Sequence, residues 1–331
     1  MDASFNAVQR ALSERLPGAR LVGDGAGSLE LASSALEAPR IAAGTLLEGH
    51  ALRAVRVEGD PTPGFAAFLD GSQRSRVAAY VDGLPIVHGV VAAVVRVRVN
   101  RKLTTWPRGP HVERWLYAPC AYLSDAACAS LQAAGAARGV RVVDTAAADD
   151  GERPSRHPLA LQERALSFVQ HDRERVERVL AEEWCTLVNK PIFIDGGIQA
   201  SDLVAKSPCA VGVVKSHRTL YVDGDALRTV LALKPGQRSS VVRVSSSRRT
   251  PVASWYLRLR DPAGHDPLWG LVRVEASDRA AAERPEELTE RANLISRWIL
   301  AETAPLALPD GRWDRMVYGV RDCEEFLRAV S

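Results

Sequence analysis

Two short apolar runs, far apart in the chain, each end in an Asp-Gly pair. Residues 65–69 lead into Asp70, and residues 191–194 lead into Asp195. Each run predicts a short strand with a carboxylate at its carboxyl end, where the following glycine permits a sharp turn. If the two strands are neighbours, the aspartates lie close together, an arrangement that can hold divalent metal against a phosphodiester.

The same dipeptide has a simpler interpretation. Asp-Gly is a common turn sequence. Asp82-Gly83 and Asp223-Gly224 in this chain are interpreted as turns of that kind. The Asp70 and Asp195 pairs differ because each follows a matched hydrophobic run.

Composition predicts a folded chain without a membrane span. The 331 residues are 46% hydrophobic and 25% charged, enough for one large domain with its own core. No stretch approaches the ~20 uninterrupted apolar residues of a membrane helix. Residues 1–16 lack the apolar segment of a secretion signal, and the five cysteines are scattered without zinc-ligand spacing. These features predict a reduced, cytoplasmic protein that is not bound to a membrane.

Positive charge is distributed unevenly along the chain. The net charge is only +3, yet residues 226–260 and 83–112 contain no acidic residue. This segregation predicts a surface for a polyanion, with Arg248 and Arg249 as candidate phosphate contacts on one wall of a groove. The alternative is that acidic residues from other segments balance these charges in space.

The order of predicted elements indicates the fold class. A strand ending in Asp70, antiparallel strands, a long helix over residues 159–188 and the strand ending in Asp195 follow one another. This order is compatible with an α/β fold of the ribonuclease-H-like type: a mixed sheet flanked by helices, with additional C-terminal strands and helices. Residues 1–64 are interpreted as an N-terminal arm and residues 65–331 as the main domain. The long helix offers two glutamates, Glu174 and Glu177, as a third acidic ligand.

Several motifs resemble the NurA nuclease family in its divergent bacterial form. They span most of the chain and occur in order at sensible spacing. The matching segments are residues 68–74, 87–90, 177–181, 194–196, 211–221, 254–259, 270–275 and 310–318. The resemblance implies a ribonuclease-H-like nuclease that uses Mn²⁺ or Mg²⁺, forms a homodimer and processes DNA ends in DNA repair with a HerA-type hexameric ATPase.

The resemblance also implies roles for individual residues. Asp70, Glu177 and Asp195 would be the metal carboxylates of a two-metal phosphodiester hydrolysis, and Glu177 is preferred to Glu174 because it starts a matching segment. Lys215 and Asp310 would be further catalytic residues. The implied nucleic-acid contacts are His217, Tyr221, Arg258 and Arg273. Each of these residues also has an ordinary structural interpretation, such as a lysine at a strand end or an Asp-Gly turn at Asp310.

The leading functional prediction is a metal-dependent nuclease acting on single- or double-stranded DNA. One alternative is a catalytically weak or inactive nucleic-acid-binding or scaffold subunit of an ATPase complex. Another is a phage-defence nuclease acting on DNA or RNA. The sequence contains no Gly-x-x-x-x-Gly-Lys-Ser/Thr motif, so energy for movement along DNA would come from a partner. Phe5, Val8, Leu12 and Leu16 form an apolar stripe on the first predicted helix, which would suit a dimer interface.

Overall fold

The computed structural model describes most of the chain. The described residues are 3–22, 38–100, 102–147, 154–246, 249–279, 285–303 and 318–330. Two of the predicted site residues, Arg248 and Asp310, lie outside these ranges. In the described residues, no helix is long and apolar enough to cross a membrane.

Sixteen strands occur in the described part of the chain, and fourteen of them belong to one mixed sheet. The strands are β1 (Arg20–Leu21), β2 (Arg40–Ile41), β3 (Thr45–Leu46), β4 (Ala54–Arg56), β5 (Ala67–Val81), β6 (Leu84–Val99), β7 (Lys102–Thr105), β8 (His111–Ala118), β9 (Arg141–Asp144), β10 (Ile192–Asp195), β11 (Ala210–Val214), β12 (Thr219–Leu220), β13 (Gln237–Ser239), β14 (Val242–Ser246), β15 (Arg249–Arg258) and β16 (Leu271–Ala276). The main path across the sheet is β3-β14-β15-β16-β11-β10-β5-β6-β8-β9, and β2 pairs with β12 separately. Strands β5, β10 and β11 are parallel, and they form the centre of the sheet.

Seven helices flank the sheet within the same ranges. They are α1 (Ala3–Arg15), α2 (Asp125–Ala136), α3 (Pro158–Leu187), α4 (Asp202–Lys206), α5 (Gly224–Leu231), α6 (Pro285–Glu302) and α7 (Tyr318–Val330). The longest, α3, begins with a proline at its first position, where the missing N–H costs no hydrogen bond. The predicted mixed α/β class, with helices beside a large sheet, is confirmed.

The two faces of the sheet have separate cores. Side chains such as Leu69 and Ile194 pack beneath α3 together with Trp184. Their neighbours along the same strands, Phe68 and Phe193, pack on the other face with α6 and α7. This alternation follows from the two-residue period of a strand, and it decides which helix each site residue meets.

The two Asp-Gly pairs differ in backbone structure. Gly196 has φ +128° and makes the sharp turn that the sequence predicts. The first pair does not turn: residues 67–81 form one strand, and Asp70 pairs with Val94 in its interior. The predicted strand end at residue 69 is therefore wrong. The reason is that β6 is a continuous buried apolar strand that pairs with β5 along its whole length.

The described parts of residues 1–64 pack against the main sheet. The apolar stripe of α1 is buried against β5 and β6, and Phe5 and Leu12 are at most 1% exposed. Strand β4 pairs with β13, and β3 pairs with β14. Since α1 already buries its apolar face in its own chain, it offers no free face to a second copy.

Candidate active site

Asp70 and Asp195 lie side by side at the centre of the sheet. Strands β5 and β10 are parallel with Ile194 opposite Leu69, so the next step along both strands brings Asp195 beside Asp70. Strand alternation places both carboxylates on the face that carries Phe68 and Phe193. The sequence prediction that the two aspartates meet on neighbouring strands is confirmed by this register.

Glu177 approaches the same point from the opposite face. It lies on α3, and its carboxylate sits directly over Gly71, where a Cβ atom would collide with it. The absent side chain at Gly71 therefore makes room for Glu177. Arg173, one turn earlier on α3, forms an ion pair with Glu177 and donates a further hydrogen bond to Gln73 at 3.1 Å. Glu174, the alternative ligand, is half exposed and accepts a hydrogen bond from Gln170 instead.

The acidic groups perturb one another. Burial, followed by the charge of Asp195, holds the pKa of Asp70 well above its ordinary value of 3.8, and Glu177 adds to this effect while Lys215 opposes it. The backbone N–H of Gly71 donates to Asp70 at 2.8 Å. Burial also raises the pKa of Glu177 from 4.5 to about 7, although Arg173 acts in the opposite direction. Carboxylates that resist ionisation in this way are typical of functional sites.

Lys215 supplies positive charge to the cluster. It follows β11 directly, and its ammonium lies 2.7 Å from Asp195 Oδ2. Both side chains are largely buried, at 14% and 18% exposure, so the pair is shielded from solvent. The structure thus brings Lys215 beside Asp195, while its catalytic role stays a prediction.

A cavity of about 350 Å³ opens on the α3 side of this cluster. Glu177, Asp195 and the loop of residues 196–201 line it, together with Arg178 and Arg249. Arg249 is exposed at the start of β15, so it is placed to meet a ligand that enters the cavity. Among the predicted contacts that the structure describes, Arg249 is exposed and also lines the cavity, while its role as a phosphate contact stays a prediction.

The donor set fits a hard divalent cation. Asp70, Glu177 and Asp195 offer carboxylate oxygens, the ligands that Mg²⁺ and Mn²⁺ prefer. Burial and, after it, the charge of Asp195 raise the pKa of Asp70, and a bound cation would act against both effects. In the described residues, no three His, Cys, Asp or Glu side chains are grouped tightly enough to form a metal site as they stand. Glu177 and the two aspartates reach the site from opposite faces of the sheet.

Arg258 is not a surface cation, contrary to the prediction. It is fully buried, and its guanidinium donates to four backbone carbonyl oxygens. Those acceptors are Leu231, Leu233, Pro267 and Trp269. Arg258, an implied nucleic-acid contact, instead joins the loop before β16 to the end of α5.

His217 and Tyr221 also serve the fold. His217 lies 2.9 Å from the carbonyl oxygen of Leu271, and burial lowers its pKa. The backbone N–H of Tyr221 donates to the hydroxyl of Tyr256, and its ring lies beneath the guanidinium of Arg273. Neither residue lines the cavity. Arg273 does line it, but its side chain is only 9% exposed and forms an ion pair with Glu275.

The acid-free segments do not form one basic wall. Arg238 is fully buried in an ion pair with Glu48, and Arg243 pairs with Asp278. In the other segment, Arg96 and Arg98 pair with acidic residues of the last two helices. Acidic residues distant in sequence therefore balance these arginines, as the alternative interpretation stated.

Two residues of the site, Arg173 and Glu275, were not predicted as site residues from the sequence. Arg173 pairs with Glu177, and Glu275 holds the loop after Asp195 through hydrogen bonds to Ile198 and Gln199. The four-residue spacing of Arg173 and Glu177 on a predicted helix was an available signal. The sequence gave no local signal for the hold of Glu275 on the loop, because Ile198 and Gln199 lie more than 75 residues away.

Comparison with known proteins gives one structural resemblance to report. No protein-family model matches the chain, and no curated protein matches it in sequence. The structure is similar to the crystal structure of the NurA nuclease from Sulfolobus solfataricus, over 84% of this chain and 86% of that chain. The two are 12% identical, with a TM-score of 0.46.

Proposed function

We propose that this protein is a metal-dependent nuclease with a ribonuclease-H-like core that hydrolyses phosphodiester bonds in DNA. The observation that supports it most is the meeting of Asp70 and Asp195 on parallel strands, with Glu177 reaching the same point over Gly71. In an ordinary fold-stabilising carboxylate the donors compensate the charge, whereas here burial and the charge of Asp195 raise the pKa of both Asp70 and Glu177. Such an arrangement suits a site that receives a cation from outside.

The residues of the chain have distinct tasks in this proposal. Asp70, Asp195 and Glu177 would hold Mn²⁺ or Mg²⁺, and the bound metal would activate water and neutralise charge on the phosphodiester. Lys215 keeps Asp195 paired before substrate binds and is placed to approach a phosphate oxygen. Arg249 at the cavity mouth would contact the nucleic-acid backbone, and Arg173 orients Glu177 through their ion pair.

A second candidate is a nucleic-acid-binding subunit without cleavage activity. Two of the three carboxylates, Asp195 and Glu177, already have cationic partners in Lys215 and Arg173. Pairs of this kind also occur in proteins where they only stabilise the fold. Cleavage assays separate the two candidates.

The decisive experiment is a cleavage assay with single- and double-stranded DNA and RNA in Mn²⁺, Mg²⁺ or EDTA. We expect metal-dependent cleavage of DNA, reduced by at least about a thousand-fold in Asp195→Asn, equivalent to ~4 kcal/mol in the activation barrier. Asp223→Asn is the matched control, because Asp223 also precedes a glycine but is exposed and makes no capping hydrogen bond. Full activity of Asp195→Asn would exclude the proposed site. DNA binding without cleavage by the unaltered protein would favour the second candidate.

The proposed partners rest on the sequence motifs. We propose a homodimer that works with a HerA-type hexameric ATPase on DNA ends. The apolar stripe of α1 is buried within its own chain, so it does not argue for a dimer. The motif resemblance alone supports the dimer. Light scattering at micromolar concentration tests the dimer directly, and a monomer would contradict it without affecting the cleavage assay.

A further inference from the structure

A fourth carboxylate, outside the proposed metal ligands, lies along the lining of the same cavity. Glu275 of β16 is 0% exposed. One of its oxygens accepts a hydrogen bond from the backbone N–H of Ile198 at 2.8 Å. The other accepts a bond from the side-chain amide of Gln199 at 2.7 Å and an ion pair from Arg273. Every acceptor atom of this buried group therefore has a partner.

The two acceptor bonds hold the loop that follows Asp195. The loop turns at Gly196, whose N–H donates to the carbonyl of Val213 at 3.0 Å. It then crosses β11 at Gly212, the residue that pairs with Glu275 on β16. A Cβ at Gly212 would lie 2.8 Å from the Gly196 carbonyl oxygen, so the glycine is what allows the loop to cross there. The loop thus passes directly over the Glu275 carboxylate.

We propose that Glu275 is a positioning residue for Asp195: it clamps the loop of residues 196–199 and thereby fixes the orientation of the Asp195 carboxylate. The proposal rests on the proposed function, since it assigns Asp195 to the reacting centre. Asp195 is the last residue of β10, and the hydrogen bond from the Gly196 N–H to Val213 holds the chain one residue further. The clamp restrains the chain beyond that bond, at Ile198 and Gln199. Groups that orient a metal-binding carboxylate typically change metal affinity or activity 10- to 100-fold when removed.

The competing interpretation is a purely structural ion pair. The chain contains a matched example: Glu48 is also buried, pairs with the buried Arg238 and accepts a backbone hydrogen bond from Val241 at 2.9 Å. Glu48 does not line the cavity. Glu48→Gln therefore reproduces the chemical change of Glu275→Gln at a distance from the site.

The test compares these two variants by hydrogen–deuterium exchange and by steady-state cleavage of DNA. We expect Glu275→Gln to speed exchange at the Ile198 amide, and Glu48→Gln to speed it at Val241 instead. We expect kcat to fall about 10- to 100-fold in Glu275→Gln with KM nearly unchanged, while the folded Glu48→Gln protein retains the kcat of the unaltered chain. If Glu275→Gln fails to fold, Gln199→Met removes one of the hydrogen bonds to Glu275 with less disturbance. For that variant we expect faster exchange at Ile198 and a lower kcat, both by smaller amounts.

The exchange measurement decides the clamp even if the protein cleaves no nucleic acid. Unchanged exchange at Ile198 in the folded Glu275→Gln or Gln199→Met variant would overturn the clamp. Normal kcat in an active Glu275→Gln protein would overturn the positioning of Asp195. Absence of cleavage by the unaltered protein, with altered loop exchange, would instead refute the proposed function and the role given to Asp195, leaving only the loop clamp.

Discussion

Two buried carboxylates of this protein have opposite environments. Asp70 and Glu48 are equally buried, each with 7% exposure. Burial by itself would raise the pKa of Glu48, but the hydrogen bonds and charge of Arg238 outweigh it and lower the pKa. Burial raises the pKa of Asp70, and the charge of Asp195 raises it further.

The difference shows how a buried carboxylate can stabilise the fold in one region and belong to a candidate site in another. Glu48 receives two hydrogen bonds from Arg238 and one from the backbone of Val241, so its charge is fully compensated. Within the described part of the chain, Asp70 accepts one hydrogen bond, from the N–H of Gly71, and it lies near other acidic groups. The charges of Glu48 and Arg238 stabilise the fold. The charges of Asp70 and Asp195 repel each other, and an added cation can relieve this repulsion.

The largest expected effect is a difference in stability between two neutralising substitutions. Glu48→Gln leaves Arg238 buried without its anion and should lower the free energy of unfolding by about 3–5 kcal/mol. Asp70→Asn removes a destabilising charge and should raise the free energy of unfolding at pH 8. Urea unfolding in EDTA, followed by tryptophan fluorescence, measures both. Effects of the same sign would remove the distinction between the two regions.

The second prediction concerns the space that Gly71 leaves for Glu177. Gly71→Ala should displace the Glu177 carboxylate and reduce kcat by about 100-fold, the order expected for a misplaced catalytic group. The control is a double-mutant cycle with Glu177→Gln. If Gly71→Ala acts through Glu177, it has little further effect on kcat in the Glu177→Gln background. Additive losses would show that Gly71 acts elsewhere.

The third prediction is a pH dependence of stability in the metal-free protein. A carboxyl group with a higher pKa in the folded state binds its proton more tightly there. Its stabilising contribution is therefore complete below the ordinary value of 4.5 and is lost as the pH rises through about 7, the pKa of Glu177. The free energy of unfolding should fall by roughly 2 kcal/mol from this group between pH 5 and pH 8. Glu177→Gln should remove this part of the decline. The exposed neighbour variant Glu174→Gln should keep most of it, because burial is the largest cause of the raised pKa and the charge of Glu174 is a lesser one. An equal decline in all three proteins would contradict the assignment.

The smallest effect concerns the salt dependence of DNA binding. Arg249 lines the cavity and is exposed, so Arg249→Gln should reduce the slope of log affinity against log salt by roughly one unit. Arg228→Gln is the control, because Arg228 is highly exposed on α5, outside the cavity lining, and pairs with Asp225. Fluorescence anisotropy with labelled DNA measures the slope. An unchanged slope for Arg249→Gln would show that this arginine only faces solvent.

Local sequence patterns predicted most elements and the main acidic residues. The apolar run before Asp195 gives β10, and the amphipathic pattern around Glu177 gives α3. These predictions succeed because strand and helix periods are properties of neighbouring residues. The strand end at residue 69 was wrong because its continuation depends on pairing with β6, which no local pattern reports.

By itself, the sequence determined that two Asp-Gly pairs and a helical glutamate belong to one α/β domain. Only the tertiary structure decided that Arg258 and Arg238 serve the interior while Arg249 faces the cavity. The physical reason is that a charge acquires its role from its partners, and the partners here come from distant segments: Glu48 and Arg238 are 190 residues apart. Periodicity determines the face of a helix or strand on which a side chain lies. Which residue it contacts on that face depends on how the whole chain folds.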